Sequence, residues 1–277
     1  MSKVWFITGS SRGLGRALVI AALEAGGRVV ATARKPAPLD DLVTRYGDRI
    51  HPVALDVADE GQVQSAVQEG LDTYGHYDVV VNNAGYGDLA SVEDATVEDF
   101  RAQIDTNFYG VYYVSKTVVP ILREQGFGHI FQVSSLGGRI GTVGLAAYQS
   151  AKWAVGGFST VLAQEVEPFG IKVTVLEPGG MRTDWGGSSM TIPPISPAYK
   201  QTVGAFADMF RNPGPEAQVN SADPARVAQT VVELAGRNDA PVRLLLGRDA
   251  VQYADAAARA LAESDEQWRE VSESVWD

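Results

Sequence analysis

The 277-residue sequence predicts an α/β protein, a doubly wound parallel sheet of about seven strands with helices on both faces. Three observations carry this. Short apolar runs rich in β-branched residues alternate along the chain with segments of helical spacing. The runs lack the polar alternation of a half-solvated strand, so each is expected to be covered on both sides, as in a parallel sheet. A glycine-rich turn stands between the first run and the first helical segment, where a tight strand-to-helix connection is needed.

The strand runs fall at residues 4–8, 28–33, 50–55, 78–82, 128–133, 172–176 and 242–246. Between them, apolar residues recur at helical spacing: Leu14, Leu18 and Ala22; Val63, Val67 and Leu71; Val111, Ser115, Val118 and Leu122; Val155, Phe158 and Leu162; Val227, Val231 and Leu234. No low-complexity break or internal repeat interrupts this rhythm, so residues 1–277 read as a single domain. Two stretches depart from it. Residues 183–220, rich in Gly, Ser, Pro and large apolar side chains, read as a substrate-covering insertion. Residues 249–277 read as a C-terminal extension: an alanine-rich helix over about 250–263, then an acidic tail with Trp268 and Trp276, expected to dock as an arm.

Composition excludes several classes of function. Acidic residues outnumber basic ones 34 to 23 and the basic residues are scattered, which leaves no positive stripe for nucleic acid or an anionic membrane. With no cysteine there is no disulfide, thiolate nucleophile or thiolate-bound metal. His51, His76 and His129 lie far apart and show no ligand spacing, so no metal is expected. The N-terminal apolar run Val4–Ile7 is too short for a signal-peptide core, and no run of 18 apolar residues occurs, so a cytoplasmic protein is expected.

The first strand is followed by Thr8-Gly9-Ser10-Ser11-Arg12-Gly13-Leu14-Gly15. A tight turn, close approach of backbone to a pyrophosphate and close helix packing each exclude a Cβ, and a helix N-terminus offers free N–H groups to an anion. Asp56, with Val57 after it, ends the third strand region. Its carboxylate is suited either to accept from an adenine amine or to cap the helix starting near Asp59.

Further on, Tyr148 and Lys152 stand four residues apart and share a helix face. A free phenol, with a pKa of about 10, transfers protons poorly at neutral pH. The Lys152 cation, together with a positively charged nicotinamide, is expected to lower that value. Ser135 follows an apolar strand at its carboxyl end, where its hydroxyl can hold a carbonyl oxygen within reach of the phenol.

These motifs together resemble the short-chain dehydrogenase/reductase family in its single-domain branch, a Rossmann-type fold. Five family motifs occur in order over about residues 3–247: Thr8 to Gly15, the tetrad Asn82-Asn83-Ala84-Gly85, Asn107, Ser135 with Tyr148 and Lys152, and Pro178-Gly179 with Thr183. The resemblance implies an oxidoreductase interconverting a carbonyl and an alcohol, with Tyr148 as general acid and base and Ser135 orienting the substrate oxygen. It implies that Lys152 binds the nicotinamide ribose and tunes Tyr148, and that Asn107 holds a water in a proton relay. Gly9, Ser11, Arg12, Gly13, Leu14, Gly15, Arg34, Asp56, Val57, Asn83, Ala84, Gly85, Pro178, Gly179, Met181 and Thr183 are implied as further cofactor contacts. A non-catalytic nucleotide-sensing protein is the competing reading, disfavoured because such relatives usually lose the Tyr/Lys pair.

The cofactor expected is NADP(H) rather than NAD(H). An NAD-selective enzyme places a carboxylate at the end of the second strand, where this chain has Ala33 followed by Arg34, with Arg12 in the glycine loop. Asp40 and Asp41 stand too far along to replace that acid. The substrate expected is a small carbonyl or alcohol, hydrophobic if Tyr86, Leu136, Ile140, Val143, Leu145, Trp185, Met190, Phe206, Met209 and Phe210 line its pocket. The helices over 107–123 and 148–165, with Tyr112, Tyr113, Trp153 and Phe158, resemble the pair that joins subunits in the family, implying a homodimer or homotetramer. The chain runs 30 residues past Gly247, from 247 to 277, further than shorter members of the family.

Overall fold

Seven parallel strands form one sheet in the order β3-β2-β1-β4-β5-β6-β7, as described in a computed structural model covering residues 2–183, 185, 190–212 and 221–276. The strands are β1 (Val4–Ile7), β2 (Arg28–Ala33), β3 (Ile50–Ala54), β4 (Val79–Asn82), β5 (Gly128–Val133), β6 (Ile171–Pro178) and β7 (Arg243–Leu246). Each expected run is a strand. The largest boundary difference is in β6, which extends through Glu177 and Pro178 because both pair with β7.

The pleat explains why the central runs are largely apolar. In β1, Trp5 and Ile7 enter one core, packed by α1 (Gly13–Glu24), α2 (Asp40–Tyr46) and α8 (Pro224–Ala235). Val4 and Phe6 enter the opposite core, packed by α3 (Glu60–Tyr74), α5 (Gly110–Gln125) and α6 (Ala146–Val166). Phe6, Ile7, Val80, Val81, Ile130 and Phe131 are fully buried. Burial on this scale stabilises by about 1.5–3 kcal/mol per large side chain, which is why neither face of the sheet accommodates polar alternation.

Local signals fix the helix ends. Asp59 accepts from the backbone N–H of Gln62 at 3.0 Å and caps α3, which stops at Gly75 in a left-handed conformation. Asp223 caps α8 in the same way, with Pro224 at its first position. The two helices α4 (Val97–Ile104) and α5 are joined through a π turn, Asp105–Tyr109, that widens the backbone at Asn107.

Of the expected insertion at 183–220, the described residues include α7 (Ala205–Arg211), and the rest of that expectation lies partly outside the described residues. Leu89, Leu145, Met190, Val203 and Ala207 form a small separate core there. The C-terminal extension is helical as expected but longer, α9 (Arg248–Gln267) followed by α10 (Arg269–Glu273). Docking is confined to its start. Ala250 and Ala254 are buried, whereas Leu261, Trp268, Val271 and Trp276 are exposed, because the body of the protein ends beneath the second turn. Among the described residues, no helix is long and apolar enough to cross a membrane.

Candidate active site

Strand order reverses at β1, which pairs with both β2 and β4, and a cleft opens beyond the carboxyl ends of these strands. Its volume is about 1500 Å³. Every cofactor-contact residue expected from the sequence lines it, from Gly9 in the glycine loop to Thr183, and so do Ser135, Tyr148 and Lys152. Asn107 does not; it is fully buried behind the wall.

At one end the cleft is a cradle of backbone. Gly9 has φ +69°, and a Cβ there would lie 2.8 Å from Ala84 Cα. A Cβ on Gly15 would run into the Gly9 carbonyl oxygen. Arg12 precedes α1 without a side-chain cap, so the first N–H groups of the helix have no side-chain partner and can receive an anion. Asn83 braces the loop from β4: its Nδ2 donates to the carbonyls of Thr8 at 2.9 Å and Gly9 at 3.2 Å. These features fit a dinucleotide pyrophosphate.

Beside the cradle, β2 ends at Ala33, and Arg12, Arg34 and Lys35 are all exposed. Among the described residues none of the three is in an ion pair. Asp41 is held by Arg16 at 2.5 Å, away from this group. Lys35 also lines the cleft, a third cation that the sequence reading passed over although it adjoins Arg34. Asp56 lines the cleft too, and its Oδ1 accepts from Ala58 N at 3.1 Å. The helix cap that the sequence left open for it belongs to Asp59.

At the other end the groups are buried side chains. Tyr148 and Lys152 share a face of α6 and are 8% and 3% exposed. Lys152 Nζ donates to the Val133 carbonyl at 2.8 Å and lies 5.5 Å from the centre of the Tyr148 ring. Ser135 lies two residues beyond the end of β5 and opens a tight turn, Leu136–Gly138, with Oγ accepting from Gly137 N at 3.0 Å. Burial pushes the Tyr148 phenol up to about 12, and the hydrogen bond with Ser135 acts weakly the other way. Burial likewise pushes Lys152 down to about 8. The protein alone therefore raises the phenol where the sequence reading expected it lowered, because removal from water costs the phenolate more than neighbouring groups return.

Asn107 sits in the π turn with its side chain committed. Its Nδ2 donates to Tyr86 O at 2.8 Å and Gln103 O at 2.9 Å, and its Oδ1 accepts from Tyr86 N at 3.1 Å. A Cβ on Gly85 would lie 2.5 Å from Asn107 Oδ1 and 3.5 Å from Lys152 Nζ, so Asn107 and Lys152 flank one small space.

Aromatic rings line the cleft next to Tyr148. The Trp185 ring lies 5.0 Å from that of Tyr148, and Phe210 meets both Trp185 and Phe206. Gly87 lets the two rings approach: a Cβ there would come within 2.7 Å of Trp185. Of the expected lining, Val143 faces solvent and Met190 is turned into the small separate core, so neither reaches the cleft. Glu177 was also missed. It is fully buried at the end of β6 and binds Arg139, beside the Ser135 turn, at 2.5 Å, and Arg243 of β7. A lone carboxylate closing an apolar strand was its signal in the sequence.

Comparison with known proteins agrees with this architecture. The profile of the short chain dehydrogenase family matches residues 3–191. Oxidoreductase BOA17 of Botryotinia fuckeliana is 60% identical over 274 residues, 98% of each chain. A short-chain dehydrogenase of Streptomyces avermitilis superposes with a TM-score of 0.92 at 35% identity, covering 99% of each chain. An alcohol dehydrogenase of Thermococcus sibiricus complexed with 5-hydroxy-NADP gives 0.73 at 26%, covering 89% of this chain and 97% of that one. The 3-ketoacyl-(acyl-carrier-protein) reductase of Brucella melitensis, complexed with NADH, gives 0.74 at 26%, covering 88% and 96%.

Proposed function

The chain belongs to the short-chain dehydrogenase family and is an oxidoreductase, and from that premise we propose that it interconverts a hydrophobic ketone or aldehyde and its alcohol with NADP(H). The observation that carries this reading is a single cleft with an anion cradle at one end and, at the other, buried Tyr148 and Lys152 beside half-buried Ser135. The solved relatives that hold 5-hydroxy-NADP and NADH support a nicotinamide cofactor. The choice of NADP(H) rests on Ala33, Arg12, Arg34 and Lys35, since exposed cations meet a 2′-phosphate where an acid would repel it.

In this reading Gly9, Gly13 and Gly15 and the start of α1 hold the pyrophosphate, while Pro178, Gly179, Met181 and Thr183 line the nicotinamide half. The nicotinamide, when bound, supplies a hydride to the carbonyl carbon or accepts one from the alcohol carbon. Ser135 Oγ donates to the carbonyl oxygen and holds it beside Tyr148. Tyr148 Oη gives its proton to that oxygen as the C=O π bond is lost and an O–H bond forms. Lys152 stabilises the phenolate that remains, offsetting the burial that otherwise disfavours it. Asn107 braces Gly85 and Tyr86 beside Lys152. Trp185, Phe206 and Phe210 favour an apolar substrate. Exposed Tyr112 and Trp153 on α5 and α6 support a homo-oligomer.

The test is NADPH oxidation with a panel of ketones. Tyr148→Phe removes only the proton-transferring oxygen, so turnover should fall by about 10²-fold or more with NADPH binding retained. Near-normal reduction by that variant would overturn the assignment.

A further inference from the structure

The C-terminal helix α9 begins directly on β7, with only Gly247, at φ +118°, between them. Its first turn carries Asp249. The Asp249 carboxylate accepts from the backbone N–H of Gly180 at 2.7 Å, 69 residues away in sequence. Among the described residues it has no cationic partner. A carboxylate in the first turn is also favoured by the helix dipole, which holds it where the loop arrives.

The loop it grips is the one that lines the cleft from Pro178 to Met181. Its other backbone bonds run to β7 and to the residue before the α8 cap: Gly179 N donates to Leu246 O at 2.9 Å, and Ala222 N donates to Gly180 O at 2.7 Å. A Cβ on Gly179 would strike the Asp249 carboxylate, so the two residues are fitted to each other. The same helix touches the opposite shore of the cleft. Ala250 and Ala254 pack against Leu136, which follows Ser135, and against Ile140 and Leu245. One helix thus contacts both the turn that presents Ser135 and the loop that faces it.

Resting on the dinucleotide reading above, we propose that Asp249 is a positioning residue: it fixes the Gly179–Gly180 backbone through α9, and so sets the wall against which the nicotinamide is held. The extension beyond the sheet is then part of the cofactor site, and the docking of its first two turns and the order of the cleft rise and fall together.

The experiment compares wild type, Asp249→Ala and Asp249→Asn by NADPH fluorescence titration, ketone turnover and thermal unfolding. Asparagine keeps an acceptor oxygen for Gly180 N–H, whereas alanine does not. Asp249→Ala should weaken NADPH binding about tenfold and lower kcat, and Asp249→Asn should stay within about threefold of wild type, the change expected when one hydrogen bond to a charged group is lost or kept. Equal affinity and kcat in wild type and Asp249→Ala would overturn the proposal, as would equal losses in both variants. Failure of wild type to bind NADPH would instead sink the dinucleotide reading. Hydrogen exchange on wild type gives a check that needs no variant. Adding NADPH should protect amides of residues 178–182 and 247–255 together, and protection of the first segment alone would overturn the coupling.

Discussion

At the glycine-loop end of the cleft the chain presents backbone and solvated cations, with Arg12, Arg34 and Lys35 exposed, whereas at the reacting end Tyr148 and Lys152 are 8% and 3% exposed. The first end offers backbone shape and the charge of exposed side chains. At the second, burial shifts the phenol up and the ammonium down, so each charge there depends on what surrounds it. Changes at the two ends should therefore fail differently: at the cradle through geometry and cofactor affinity, at the reacting end through proton transfer.

The largest effect short of removing the Tyr148 hydroxyl is expected at Gly15. A Cβ there meets a backbone carbonyl, which cannot turn aside as a flexible side chain would. Gly15→Ala should shift the loop by a few tenths of an ångström to about 1 Å and lower kcat/KM for NADPH by about 10²-fold. Steady-state kinetics beside a thermal melt would check it. An unchanged kcat/KM would break the claim that this end works by close backbone approach.

Arg34→Ala sharpens the comparison from the other side, because it removes charge from the cradle and leaves its shape. If the guanidinium makes one charged hydrogen bond to a 2′-phosphate, its loss weakens NADPH binding by roughly 1.5–3 kcal/mol, about tenfold to a hundredfold. NADH kinetics should barely move. Equal losses with both cofactors would show that Arg34 does not read the phosphate.

The same contrast explains what was legible in the sequence. The central strands could be read because burial on both faces makes a run apolar by itself, as in residues 79–81, and the half-buried edge strands β3 and β7 from their apolar residues. The glycine loop and the Tyr148/Lys152 pair are local spacings, so they too were visible. What escaped depends on residues that meet only after folding. Glu177 finds Arg139 and Arg243 38 and 66 positions away, and Asp249 finds Gly180 across 69. The burial that pushes the Tyr148 phenol up was not legible for the same reason. Among the groups packed on Tyr148 is the Trp185 ring, 5.0 Å away, which no short window around residue 148 contains.

The smallest expected effect is on pH dependence, and its sign follows from the two buried groups. Tyr148, raised to about 12, keeps its proton throughout the neutral and mildly alkaline range, so its ionisation does not limit reduction there. Lys152, lowered to about 8, is charged below that pH and loses its charge as pH rises through it. In the proposed mechanism reduction leaves a phenolate that needs the Lys152 cation, so kcat/KM for ketone reduction should be flat below about pH 7. It should then fall about tenfold between pH 7 and 9, as one proton leaves the free enzyme. Oxidation of the alcohol releases a proton and should rise over the same interval. Lys152→Arg tests the assignment, since a guanidinium keeps its charge across this range and should remove the alkaline fall even where the absolute rate is lower. A reduction profile flat to pH 9 and falling only near 10 would mean that an ordinary phenol or ammonium sets the limb, and that burial does not tune the reacting end.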